Sequence, residues 1–389
     1  MALGYRDDHL HLLACAAVRR SVDVRDAASM AELLGTIRQA AQERTAGEGQ
    51  AAWLRAWGYD DALLAERRHP TVAELDAVTG GRPAVLHHIT GHLAVVNTPA
   101  GRALGLEAGG VLVERHDVLA RVPRPDRART VIGVAGVLGD LAAAGISACT
   151  DATHTNDLAA LELLADAVSI EPAVAVAAMV GADRLDTLGG HCFGMAVSGT
   201  SDSGVASGSV RIGHAKVMPA HDDDSAIADL VAAARAHGFP VAIHVMDIDT
   251  LHVALDALEA HPLPSAGAAT RGAQRSAPGR SAPDRIEHCA LALPEQLDRI
   301  ARLGVKVVTQ PSFVTRREQK YRDQLSPVEQ EWLWPLAGLL RRGIEVSFSS
   351  DAPTVPADPN EWIAAATGRN MAPAERIDAD TAHQLCWIA

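Results

Sequence analysis

The sequence predicts an α/β protein folded as a (β/α)8 (TIM) barrel, with a segment inserted between the first and second strands. Three observations predict it. Short runs rich in Val, Ile and Ala alternate with helix-length amphipathic segments, the pattern of a parallel α/β fold. Glycine directly follows successive helical segments, at Gly238, Gly304 and Gly343, where a left-handed residue closes a helix. The strand candidates number eight, the count that closes a barrel.

The first strand must fit into the few residues before His9. About 120 residues then separate it from the next strand candidate, far more than one crossover helix needs. Residues 26–125 are therefore expected to form an inserted cap, with helices near 28–46 and 72–78. That leaves 1–25 as the first strand with its histidine motif and 126–389 as the remainder of the barrel. Past the cap, strands are predicted over 146–150 and 173–179, with helices around 131–144 and 157–168. The clearest alternation follows: strand 210–217, helix 225–237, strand 241–244, and a helix over roughly 250–260. It continues through strand 285–288, helix 294–303, strand 305–310, helix 327–342 and a last strand 345–350. Two stretches, 198–208 and 264–283, are rich in Gly, Ser, Ala and Pro and read as surface loops.

A chain of 389 residues with 48% apolar and 21% charged residues can bury a large core, so a globular enzyme is expected rather than a disordered chain. Aromatics supply only 3%, so the core must be built from Ala, Val, Leu and Ile. A net charge of -13 argues against general affinity for nucleic acid or anionic membranes, which need a basic face. No stretch approaches the ~20 apolar residues of a membrane span. Arg6, Asp7 and Asp8 precede a short apolar run broken by histidine, which does not fit a signal peptide. Cys15, Cys149, Cys192, Cys289 and Cys386 are scattered, with no C-x-x-C pair; they read as reduced thiols, and a cytoplasmic location is expected. The expected partner is a small-molecule substrate, and a homo-oligomer is compatible with these features.

The chemistry begins at Asp8-His9-Leu10-His11. Residues two apart on a strand share a face, so both imidazoles can converge on one ion. With 17 histidines, chance alone gives roughly one such spacing, so the pair needs company. It has company: His244, His288 and Asp351 each stand at the C-terminal end of a predicted strand, the rim where barrel enzymes keep their active sites. A single strand-end histidine is more often satisfied by a backbone carbonyl than by a metal; several in series reverse that preference. Lys216 is one of only three lysines, with Lys306 and Lys320, and sits inside an otherwise apolar segment near the end of a predicted strand. It either snorkels to solvent or is buried, where desolvation disfavours the charged form and frees the amine. His214, two residues earlier, reads as a filler of the barrel interior.

In this order, His-x-His at the first strand, lysine after the fourth, histidine after the fifth and sixth and aspartate after the eighth resemble the amidohydrolase superfamily. Further motifs resemble the branch that includes N-substituted formamide deformylases. They are Tyr59-Asp60-Asp61, His69-Pro70-Thr71, Glu74-Leu75-Asp76, Gly91-His92-Leu93-Ala94-Val95-Val96-Asn97, Arg285-Ile286-Glu287-His288, Thr309-Gln310-Pro311 and Ser350-Asp351-Ala352-Pro353. The likeness runs from about residue 7 to the end. It implies that His9 and His11 bind the more buried of one or two divalent metals, and that His244 and His288 bind the other. Lys216, carboxylated by carbon dioxide, would bridge them, and Asp351 would contact the first metal and act as acid/base. Zinc suits imidazole and carboxylate ligands, with iron, manganese or nickel also compatible. In the cap, the resemblance points His87, His88, His92 and Asn97 toward substrate, although a surface role suits the His87-His88 pair equally.

Two departures stand out. Members of the superfamily usually flank the barrel with a small β-sandwich made from both chain ends. Here His9 lies almost at the N-terminus and the chain is expected to stop in a helix near Trp387, so that sandwich is largely absent or the chain is a fragment. Met246-Asp247 replaces the Gly-Asp pair usual after the fifth-strand histidine. The implied activity is hydrolysis of a non-peptide carbon–nitrogen bond in an amide, formamide or cyclic amide by a metal-activated water. The same water would serve a deaminase or an ester or lactone hydrolase. A non-catalytic, truncated barrel relative is the third reading, and intact candidates for every ligand argue against it.

Overall fold

The structure is a computed structural model that describes residues 3–48, 53–91, 93–113, 115–200, 208–219, 226–263 and 282–388. The chain divides into two units, one of Met1–Leu12 with Val134–Ala389 and one of Leu13–Gly133. Among the described residues, no helix is long and apolar enough to cross a membrane.

The first unit is built on a curled, largely parallel sheet. Its parallel strands are β1 (Gly4–Leu10), β2 (Ile146–Asp151), β3 (Ala175–Gly181), β4 (Ser209–Val217), β5 (Val241–Val245), β6 (Arg285–His288), β7 (Lys306–Thr309) and β8 (Val346–Phe348), hydrogen-bonded in sequence order. Val180, Ile212, Ile243, Ile286, Val307 and Phe348 are fully buried, as expected of strands covered on both faces. The order places Ala242 opposite Arg285, His244 opposite Glu287 and Val245 opposite His288, which aligns the C-terminal ends of β5 and β6. Beyond β8 the chain returns to β1: Asp351 N–H donates to His9 O at 2.7 Å and His11 N–H to Ala352 O at 2.8 Å.

Helices connect these strands. Leu158–Ile170 and Ile248–Ala260 start on Asp157 and Asp247, whose carboxylates accept from backbone N–H groups of the first turn. Gly238, Gly304 and Gly343 all take positive φ, as the sequence predicts. Two expectations need correction. The single helix over 327–342 is instead Pro327–Glu331 and Leu336–Arg341, because Pro335 cannot continue the helical hydrogen-bond ladder and Trp334 takes φ +50. The segment at Trp387 is not helical: Trp387–Ile388 is a short strand antiparallel to β1, with Gly4 opposite Ile388.

The second unit has its own sheet, ordered Val22–Asp23, Leu54–Tyr59, Ala84–His88, Leu93–Val96 and Gly110–Val113. The first three strands are parallel and the last two join antiparallel. Helices Met30–Glu48 and Val72–Val78 pack Leu33, Ile37, Leu75 and Val78 onto Leu54, Leu86 and Val95. Thr71 and Glu74 close a capping box on the second of these helices.

Candidate metal centre

His9 lies near the end of β1 and His11 just beyond it, so strand alternation presents both imidazoles on one side. Asp351 meets them there. His11 Nε2 is 3.1 Å and His9 Nε2 3.5 Å from Asp351 Oδ1, and one ligand atom from each residue falls within 4.8 Å of the others. The remaining ring nitrogens are held from behind: His9 Nδ1 by Glu287 Oε2, and His11 Nδ1 by Thr153 Oγ1 at 3.0 Å.

His288 ends β6 and His244 is the penultimate residue of the adjacent strand β5. Their rings lie edge to face with centroids 4.5 Å apart, and His288 Nε2 is 3.0 Å from His244 Nδ1. The His288 and His9 rings are 4.8 Å apart, which links the two histidine pairs into one cluster. Gln310 Oε1 accepts from His288 Nδ1 at 2.7 Å, and Gln310 Nε2 donates to Ser349 Oγ at 2.8 Å. The backbone is left-handed at His288 (φ +72) and Asp351 (φ +59). For residues with a Cβ this costs about 1–3 kcal/mol each and persists only where the surroundings over-determine it.

Lys216 is the penultimate residue of β4 and is 3% exposed, with its Nζ finding no hydrogen-bond partner among the described residues. Burial pushes its ammonium down to about 8, against the opposing pull of Glu287 and Asp351. Burial likewise holds His9 at about 3, assisted by the Lys216 charge, so its imidazole is neutral and able to coordinate. His244 and His288 are lowered by burial first. Burial alone would raise Asp351, but the hydrogen bond from His11 and the nearby imidazoles outweigh it and keep the carboxylate well below its usual range.

Several supporting residues escaped the sequence reading. Glu287 is buried on β6 and receives Arg285 Nε at 2.7 Å and Nη2 at 3.0 Å. Asp151, at the end of β2, accepts from Leu12 N, Thr153 N and Asn156 Nδ2 at 2.7, 3.1 and 2.7 Å, bracing the turn after β1. Arg285 and Glu287 are two apart in a buried strand, and an i,i+2 pair of opposite charges there was the available signal.

The cap candidates sit in the second unit. His87 is lowered to about 4 by burial and by Arg55, and its ring lies 5.8 Å from that of Trp57. Asn97 is fully buried and caps the helix Thr98–Ala103: Oδ1 accepts from Ala84 N and Ala100 N, and Nδ2 donates to Thr79 Oγ1 and Arg82 O. Its amide is thus committed to the fold. His92 lies outside the described residues. His214, on β4, is buried against Phe193 with its Nε2 3.0 Å from Pro283 O.

A family model described as "Amidohydrolase family" matches residues 4–386. The chain belongs to the amidohydrolase family. It is similar to N-substituted formamide deformylase of Arthrobacter pascens, 25% identical over 445 residues that span 99% of this chain and 78% of that protein. Among solved structures it resembles an uncharacterized metal-dependent hydrolase from Pyrococcus horikoshii, with a TM-score of 0.73 and 22% identity, covering 98% of this chain and 79% of the other. A second, from Pyrococcus furiosus, has a TM-score of 0.69 and 23% identity over 98% and 80% of the two chains. For this amidohydrolase, family and ligand cluster together support metal-dependent hydrolysis. The residues also fit a divalent ion on their own chemistry: ligand atoms of His9, His11 and Asp351 lie within 4.8 Å of one another, the His9 imidazole is neutral and the Asp351 carboxylate is ionised.

Proposed function

We propose that this chain cleaves a non-peptide carbon–nitrogen bond of a small molecule, in an amide, formamide or cyclic amide. The convergence of His9, His11 and Asp351 beside a buried, unpartnered Lys216 carries the reading. In it, His9 and His11 would hold one divalent ion and His244 and His288 a second, and Lys216, as a carbamate, would be a further ligand. Zinc is the ion of choice for such ligands. When bound, the ions supply water acidified from a pKa of 15.7 toward about 7 and polarise the substrate carbonyl. Asp351, ionised at neutral pH, accepts the proton of the attacking water and delivers it to the leaving nitrogen. Glu287, Thr153 and Gln310 fix the rings of His9, His11 and His288 through their outer nitrogens.

The curled sheet is read as a closed (β/α)8 barrel, with the second unit inserted in sequence between β1 and β2. The parallel bridge between Leu10 and Ala352 supports closure. The likeness to a formamide deformylase favours formamide-type substrates. The test is a hydrolysis screen across N-substituted formamides, linear and cyclic amides, esters and aminopurines, with bound metal counted in the same preparations. Release of an amine with formate or a carboxylate is expected. Turnover of esters alone, or release of ammonia alone, would replace the carbon–nitrogen reading, and folded protein without affinity for metal would remove the hydrolytic one.

A further inference from the structure

The second unit holds another cluster that this chemistry leaves unused. Strands Leu54–Tyr59 and Ala84–His88 are parallel neighbours, and Tyr59 is the register partner of His88. Asp60 and Asp61 therefore leave the carboxyl end of one strand beside the imidazole that ends the next, the edge at which open α/β sheets bind ligands. His88 Nε2 lies 3.2 Å from Asp61 Oδ1 and 3.6 Å from Asp60 Oδ1, and ligand atoms of all three residues fall within 4.8 Å of one another.

Two observations distinguish this arrangement from an ordinary ion pair. The His88 side chain is only 8% exposed, yet its Nε2 has no hydrogen-bond partner among the described residues: both carboxylates are in range, but the ring is not aligned to donate to either. A buried polar nitrogen left in this way needs a partner, and a bound ion is one that would satisfy it. The spacing also matches an ion. Nitrogen and oxygen ligands stand about 2.0–2.1 Å from zinc, and a tetrahedral arrangement then sets neighbouring ligand atoms about 3.3–3.4 Å apart. The two measured separations bracket that value. His88 Nδ1 is 2.9 Å from Thr90 Oγ1; donation to this hydroxyl leaves Nε2 as the lone-pair nitrogen, the usual orientation of a metal-bound imidazole. The Thr90 N–H, more distant at 3.3 Å, favours the other tautomer and is the weaker contact. His69 walls the cluster, with Nδ1 3.7 Å from Asp61 Oδ1 and 3.1 Å from Tyr59 Oη.

We propose that Asp60, Asp61 and His88 bind a divalent cation of the zinc class, with solvent as the fourth ligand, bracing the chain where it leaves two neighbouring strands. None of these residues is among those assigned to the hydrolytic ions.

The test uses the full chain and Zn2+ alone. Chelator-stripped protein carrying His9→Ala and His11→Ala is reloaded and its zinc counted, with and without Asp61→Asn and His88→Gln. The second pair is expected to remove one equivalent per chain; equal zinc in both proteins overturns the proposal. His88 is buried, so its replacement can disturb folding. Asp61→Asn alone, at a partly exposed side chain in the otherwise natural sequence, keeps the test decisive. It should weaken one class of zinc site at least tenfold in competition with a chromophoric chelator and lower the zinc-dependent rise in melting temperature. Unchanged affinity in that variant overturns the proposal, whatever the hydrolytic site does.

Discussion

Glu287 receives the Nδ1–H of His9 in a contact buried from solvent, while Arg285 donates twice to the same carboxylate. Burial would raise Glu287, but Arg285 and His9 outweigh it and hold the carboxylate ionised. The pair fixes the His9 ring so that Nε2 faces Asp351. Outer partners of this kind are worth roughly 10–100-fold in metal affinity. Glu287→Gln, which keeps the shape and removes the charge, should weaken metal binding by about that factor and lower stability by removing the carboxylate charge that faces the buried Arg285, which keeps its bond to Asp8 O. Chelator competition measures the first and thermal unfolding the second; metal retained as in the natural chain would assign Glu287 a purely structural part.

Lys216 separates two readings of a buried amine. If it bridges two ions as a carbamate, Lys216→Ala should lose activity and metal together, and short-chain carboxylic acids should restore part of both by standing in for the carbamate. Undiminished turnover in the variant would remove the bridging role.

The strand-end positions of His244 and His288 were legible because apolar runs lead into a ligand-type residue; β6 ends at His288, and β5 runs one residue past His244 to Val245. Glu287 and Gln310 were not. Each acts across the sheet, through a register and a ring orientation that no local pattern encodes. The Asp60–Asp61–His88 cluster was hidden for the same reason: residues nearly thirty apart meet only because two strands pair in parallel. Pro335 was a visible break inside the helix read over 327–342, overridden there by apolar periodicity. Asn97 carried a helix-start signature, Asn97-Thr98-Pro99, that accounts for it fully.

Asp351 offers the sharpest dissection of binding from chemistry. Asp351→Asn preserves size and a weak donor atom but cannot accept a proton. Turnover should fall by roughly 10²–10⁴ or more, the range for loss of a positioned acid/base, while most bound metal remains. Metal counting and kcat on the same sample check this. Loss of metal in step with activity would make Asp351 chiefly a ligand.

Asn97 tests whether the second unit's buried amide serves substrate or fold. Its side chain satisfies the backbone of Ala84, Ala100 and Arg82 as well as the Thr79 hydroxyl. Removing a helix cap costs about 0.5–2 kcal/mol, and leaving buried partners unsatisfied adds about 1–3 kcal/mol. Asn97→Ala should therefore lower unfolding free energy by about 1.5–5 kcal/mol, read from denaturant titration. The surviving folded protein should keep its KM and its metal content, since none of the four bonds reaches a ligand. A raised KM at unchanged stability would return Asn97 to the substrate site.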